Sequence, residues 1–322
     1  MKAKSAWLAG VAVASIISFG AGHAHADYCR TKACDNQPAY DDVWQSEPDP
    51  PCTRDAVGCL IQGTPLYWPQ SCVSFSVQRD GSKAQSIDYD LAHQTIARAF
   101  QTWLNADCGG GTLPSFAIMD YSPAICSKAE YNKDQGNANI FTFRDDSWPY
   151  PNSEDTLALT TITYNTENAQ IYDADVEINS VDAVFTFSDN ESDTEDDLLS
   201  VVTHECGHFL GLSHDPVHGS TMYPEYAPGD LYQRTLDADD TAGICDIFPP
   251  GQTIDTTRCT PRHGFSRECG VPQSTGCRVT TAGPRGALPA AAALVLGLGL
   301  VVARRGTRRT AQAGRARRIR GA

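Results

Sequence analysis

His204, Glu205, His208, Gly211 and His214 stand at a spacing that could hold a metal ion and use it. On an α-helix, His204 and His208 lie one turn apart on the same face, so two imidazoles can reach one ion with Glu205 beside it. Gly211 permits a sharp turn that a residue with a Cβ would resist, and His214 then returns as a third nitrogen ligand. Three protein ligands leave the fourth position of a tetrahedral Zn2+ open. An open position belongs to catalytic zinc, whereas structural zinc is closed by four protein ligands. The plainer reading, three histidines that are merely satisfied polar groups, does not account for a triad flanking a glutamate. The chemistry expected is hydrolysis, with a zinc-bound water giving its proton to Glu205.

The elements that must position these residues follow from the patterning. Cys72 to Gln78 alternates apolar and polar residues as a strand does, and Ile87 to Asn105 is an amphipathic helix with Leu91, Ile96, Phe100, Trp103 and Leu104 turned to the core. Gly109-Gly110-Gly111 breaks the chain, and strands are expected at Ser115–Tyr121, Ala138–Phe143, Leu157–Tyr164 and Ile171–Ile178. A helix, then strands, then the motif helix is an α+β order. Along Ile171–Ile178 the side chains of Asp173, Asp175 and Glu177 share one face. That face could collect Ca2+ through carboxylate oxygens; a solvated strand face is the plainer expectation. Asp189 to Asp197 carries six acidic residues ahead of the motif helix, where they complement its dipole. Ser192 with Glu195, or Thr194 with Asp197, could form a capping box, and a calcium loop is the lesser reading.

The extended pattern HExxHxxGxxH resembles the metzincin zinc metalloproteases, and further stretches sharpen the likeness towards the matrixins. Ser220-Thr221-Met222-Tyr223-Pro224 resembles the Met-turn, Leu236 to Ile244 the start of the last catalytic-domain helix, Ala99 to Trp103 the end of the first helix, and Asp155 to Leu159 the edge strand. The resemblance covers roughly Pro65 to Phe248, and Asp215 after the third histidine is more usual in another metzincin branch. It implies a metzincin-like catalytic domain: a mixed twisted sheet with a first helix, an active-site helix and a C-terminal helix. It also implies a zinc endopeptidase in which Glu205 serves as base, Met222 lies beneath the histidines, and backbone near Leu157 and Ala158 holds the oxyanion and the substrate. Tyr223 and Pro224, with the residues up to Tyr226, would wall a substrate pocket. In this arrangement the last helix packs near Cys206, which implies a Cys206–Cys245 disulfide. No histidine occurs between His93 and His204, and Leu159 stands where matrixins usually place one, so a single zinc is expected. His218 is expected to be a surface histidine. The matrixin cysteine-switch phrase is absent from the N-terminal stretch; a similar phrase, Arg267 to Gln273, is read as part of a Cys259–Cys269 loop rather than as a zinc thiolate.

The ends of the 322-residue chain read differently from its middle. Residues 1–26 look like a secretory signal peptide, 27–63 a cysteine-rich extension without a core of its own or a short prosegment, 64–250 the metalloprotease domain, and 251–283 a cysteine-containing linker. Residues 284–322 join an apolar run to eight arginines, as in a membrane anchor or, with Cys277, a MYXO-CTERM type of sorting tag acted on by a processing enzyme. The chain is therefore expected to be exported, secreted or held at the cell surface, and monomeric. Between Asp27 and Gly276 lie all 39 acidic residues and 13 of the 25 basic ones, a net charge of −26 that excludes nucleic acid as a partner. Twelve cysteines suit an oxidising compartment. A protein or peptide substrate is expected. The alternative is a catalytically silent zinc-binding envelope or adhesion protein on the same scaffold.

Overall fold

Runs of β-branched and aromatic residues form the strands of this protein, and the 3.6-residue apolar stripes form the helices that cover them. The computed structural model describes residues 28–33, 53–150, 156–269 and 293–301. In chain order the elements are β1 (Lys32–Ala33), β2 (Thr64–Pro65), β3 (Cys72–Val77), α1 (Tyr89–Leu104), β4 (Ala117–Asp120), β5 (Ile140–Phe143), β6 (Thr156–Asn165), β7 (Ile171–Ile178), β8 (Phe185–Thr186), β9 (Asp196–Asp197), α2 (Leu198–Leu210), α3 (Ala238–Ile247) and β10 (Ala293–Val301). The main sheet has the order β10-β6-β7-β5-β3-β4. β4, β3, β5 and β7 are mutually parallel, β6 is antiparallel to β7, and β10 is antiparallel to β6 from Asn165 to Thr156. This is the α+β, mixed-sheet architecture expected from the sequence.

Helix α1 starts where the Asp88 carboxylate accepts the N–H of Leu91. Its Ile96, Phe100 and Trp103 are buried, but Leu91 is 38% exposed and Leu104 only partly covered, so the stripe is narrower than expected. Phe100 packs on Phe75 of β3 at 4.8 Å and on Phe209 of α2 at 5.3 Å, which joins helix, sheet and motif helix in one aromatic cluster. The Trp103 indole donates to the carbonyl of Thr203 at 2.9 Å, pinning α1 against the turn that carries the first histidine.

The face of β7 bearing Asp173, Asp175 and Glu177 is buried, not solvated. Residues Asn139 and Ile140 beside the strand, and Arg144 and Tyr150 over Glu177, cover it, which periodicity alone does not foretell. Arg144 and the Tyr150 hydroxyl bond the Glu177 carboxylate, and Asp175 accepts the N–H of Ile140 at 2.8 Å. Asp173 and Asp175 share a hydrogen bond, and burial raises both above the usual carboxylate range, Asp173 to about 7. The three carboxylates do not converge with equal freedom on one point, since Glu177 is already matched to a guanidinium.

Two disulfide expectations are overturned. Cys206 is a free, fully buried thiol, because its position on α2 faces the apolar core; Cys245, at the partly exposed end of α3, bonds Cys108 in the loop after α1. Cys259 and Cys269 do not pair with each other but with Cys72 and Cys126, stitching residues 251–269 to the sheet. Cys29 bonds Cys59, while Cys34, Cys52 and Cys277 lie outside the described residues, as do residues 1–26 and most of 284–322. No helix among the described residues is long and apolar enough to cross a membrane.

The acid pair on β7 gives a signed expectation. A carboxyl whose folded pKa is raised stabilises the fold fully below its ordinary value of 3.8, and that contribution is lost as pH rises through about 7. Asp173→Asn should therefore leave Tm unchanged near pH 4 and raise it by about 3 °C at pH 8. Thermal melts in chelator test this; a lower Tm at pH 8 that appears only with calcium present would instead assign the pair to a cation.

Candidate active site

Both ends of α2 are fixed by named groups, and the site lies between them. At its start, Asp197 caps the helix by accepting the N–H of Ser200 at 2.8 Å, displacing both expected capping boxes; Ser192 lies in an earlier 3-10 turn and Thr194 ends it. Arg234 grips both oxygens of Asp197 at 2.6 and 2.7 Å and reaches Asp189 at 2.6 Å, so part of the acidic run is matched to a cation from the same chain. At its end, Gly211 takes a left-handed φ of 111°. Gly211 donates to His208 O and Leu212 to Gly207 O, the paired bonds of a Schellman ending, which turns the chain back towards the helix.

That turn brings His214 to the two helical histidines as the spacing predicts. Ring centroids of His204, His208 and His214 lie 4.7 to 5.3 Å apart, and their candidate ligand atoms fall within 4.8 Å of one another. His204 Nδ1 donates to the carbonyl of Thr221 at 2.6 Å and His208 Nδ1 to that of Leu212 at 3.0 Å. Each Nε2 is then a bare lone pair, and these two nitrogens face each other at 3.1 Å. The third, His214 Nε2, is buried with no hydrogen-bond partner among the described residues. Three lone pairs so placed repel unless a cation lies between them. Zn–N bonds of about 2.0–2.1 Å at tetrahedral angles would separate the nitrogens by about 3.3 Å, so the site fits zinc. Burial lowers all three imidazoles below the ordinary value of 6.5, His208 to about 4, which keeps them neutral and able to ligate at neutral pH.

Glu205 is wholly buried on α2, and its Oε2 accepts a hydrogen bond from the Thr160 hydroxyl of β6. Thr160 had no signal in the sequence beyond sharing a strand face with Ala158 and Ile162. Beneath the histidines, Met222 is buried against Gly207, where an added Cβ would come within 2.2 Å of its sulfur and 2.8 Å of Trp103. Glycine is required there because Met222 and the indole touch the helix backbone. The Met-turn itself is held by Asp240, whose carboxylate accepts the N–H groups of Thr221 at 2.6 Å and Met222 at 3.1 Å and completes the capping box of α3. Asp240 is a second residue missed in the sequence, though Asp237-x-x-Asp240 is a legible cap pattern. Asp215 is buried beside the third ligand; its N–H donates to Met222 O, and burial raises its carboxyl to about 7.

The remaining sequence-named residues divide. Leu157 and Ala158 lie buried in β6, at the end of the strand nearest Thr160. Tyr223 and Pro224 are half-buried, with His218 beside the Tyr223 ring at 5.0 Å and exposed. Tyr226 is not part of a pocket wall: it is 1% exposed, and its hydroxyl accepts from Asp197 N and donates to Glu195 O, bracing the start of α2. Asp173, Asp175 and Glu177 lie on another strand and stand outside the histidine group. Cys269 is a disulfide half, not a zinc thiolate.

Comparison with known proteins agrees with this geometry. Mouse (Mus musculus) matrilysin is 40% identical over 76 residues, 23% of this chain and 29% of that protein. Arabidopsis thaliana metalloendoproteinase 4-MMP is 29% identical over 157 residues, 48% and 39% of the two chains, and metalloendoproteinase 1-MMP of the same plant 28% over 192 residues, 58% and 46%. The chain spans less than half the length of each of these relatives. The family model described as Matrixin matches residues 67–249, more than half of the chain, and with the triad, the glutamate and the Met-turn in place the protein belongs to the matrixin family.

Proposed function

We propose that the protein is an exported zinc-dependent endopeptidase that hydrolyses peptide bonds in protein substrates. The observation that carries this is the convergence of three neutral imidazole nitrogens, two with their other nitrogen tied to backbone carbonyls, beside a buried glutamate. His204, His208 and His214 hold one zinc, which when bound supplies Lewis acidity towards water and towards the scissile carbonyl. Glu205 takes the proton of the attacking water and delivers it to the departing amine. Thr160 holds the Glu205 carboxylate in place from the sheet side. Backbone groups near Leu157 and Ala158 bind the oxyanion, and an extended substrate adds to the outer edge of β6 by main-chain hydrogen bonds.

Residues 293–301 run along that same edge, Val301 opposite Thr156 and Leu300 opposite Ala158. The proposal therefore includes removal or displacement of the C-terminal segment 284–322, by membrane insertion or by a sorting enzyme, before substrate binds. The exported part begins after residue 26 and ends secreted or at the cell surface.

Four measurements test this. Purified protein should cleave a denatured protein substrate, lose activity to a zinc chelator, and regain it with zinc. Glu205→Ala should lower kcat by at least about 10²-fold while binding one zinc per chain; full activity in that variant would remove the role given to Glu205, and zinc binding without any cleavage, in the unaltered protein and in a chain ending at residue 283 alike, would favour the silent binding protein. Thr160→Val should cost about tenfold in kcat with KM and zinc content little changed, as expected for one lost hydrogen bond to a charged group. A chain ending at residue 283 should cleave faster than the full chain; equal rates would dismiss the role given to the tail.

A further inference from the structure

The N-terminal lead reaches the turn that joins the second and third histidines. Ser213 donates its N–H to Cys29 O at 2.9 Å and Thr31 its own to Gly211 O at 3.1 Å, so residues 29–31 pair antiparallel with residues 211–213 around an Arg30–Leu212 bridge. The hydroxyl of Thr31, 2% exposed, donates to the carbonyl of Leu212 at 2.8 Å. The same carbonyl receives Nδ1 of His208.

This strap is anchored on every side. Thr31 O accepts the N–H of Leu66 at 2.8 Å, β1 pairs with β2, and Cys29 is bonded to Cys59. Arg30 reaches Leu66 O at 2.8 Å and Asp246 of α3 at 2.9 Å. The Tyr28 ring lies so close over α3 that a Cβ on Gly243 would meet it at 3.2 Å.

A carbonyl oxygen has two lone pairs, and here both are used, one by a histidine and one by Thr31. The hydroxyl therefore fixes the peptide plane that sets the ring orientation and tautomer of His208, while the bond to Ser213 fixes where the chain leaves for His214. Partners of this kind, one bond removed from a metal ligand, tune metal affinity. We propose that Thr31 is a positioning residue of the zinc centre and that the strap Cys29–Ala33 is retained in the active protein rather than cut away as a prosegment. The proposal rests on the zinc reading given above. It differs from latency by an N-terminal segment, in which loss of the lead releases activity; here loss of the lead loosens the ligands.

The test compares full-chain protein with Thr31→Val, which keeps the shape, and Thr31→Ser, which keeps the hydroxyl. Readouts are zinc affinity by chelator competition, the visible spectrum of the Co2+-substituted form, Tm of the metal-free form, and the N-terminal sequence of the proteolytically active species. Thr31→Val should weaken zinc about tenfold and shift the Co2+ spectrum, Thr31→Ser should match the unaltered protein in both, and the active species should begin at or before Tyr28. Unchanged zinc affinity in Thr31→Val, equal losses in both variants, a change confined to the metal-free Tm, or a fully zinc-loaded active species beginning after Ala33 would each overturn the proposal. Absence of zinc binding by the unaltered protein would overturn this inference and the zinc reading together, whereas tight zinc with an indifferent Thr31 removes this one alone.

Discussion

The constraint on which the rest of the structure depends is the orientation of three neutral imidazoles in a buried place. A buried histidine is tolerable only if its donor nitrogen is satisfied and its charge suppressed. For His204 and His208 the carbonyls of Thr221 and Leu212 meet the first need, and burial meets the second by lowering the pKa. Neither carbonyl belongs to the body of the helix that carries the histidines. One comes from the Met-turn and the other from the turn after Gly211, so the site exists only when both loops have closed on α2.

Each closing loop is in turn governed from elsewhere in the chain. Asp240 at the start of α3 gathers the N–H groups of the Met-turn, and the strap at Cys29–Ala33 gathers the turn after Gly211. Arg234 and Tyr226 do the same for the start of α2 through Asp197 and Glu195. Contacts between residues far apart in sequence thus converge on one thirteen-residue helix. The β-sheet contributes through Thr160, which brings β6 into contact with the glutamate, so the active-site helix and the sheet are joined by a hydrogen bond at that side chain.

Much of this was legible in the sequence because the motif is local. The fixed spacing of His204 to His214 depends only on helical pitch and one glycine, and the strand at Ile171–Ile178 falls where its alternation says. What periodicity does not carry is which face of a strand a distant loop will cover. The acidic face of β7 alternates as a solvated edge would, yet Arg144, Tyr150 and Ile140 enclose it, and nothing in the strand itself names them. The disulfides fail for the same reason: Cys108 stands just before the glycine-rich break, and its bond to Cys245 joins positions 137 residues apart that no local pattern relates. Thr160 and Thr31 were invisible because a lone threonine has no pattern, and their importance lies wholly in the carboxylate and the carbonyl they meet.

The free thiol at Cys206 has a consequence for how the molecule matures. It sits one residue from the glutamate, in a chain whose described cysteines are otherwise all bonded, and burial together with the Glu205 charge raises its pKa far above the ordinary thiol range. Exchange with a disulfide needs a thiolate that can reach sulfur, and in the folded protein it has neither charge nor access. Before α2 docks, nothing withholds it, and it can compete for any of the eight bonded cysteines. Packing of the active-site helix into the core therefore also withholds this thiol from exchange with the disulfides around it.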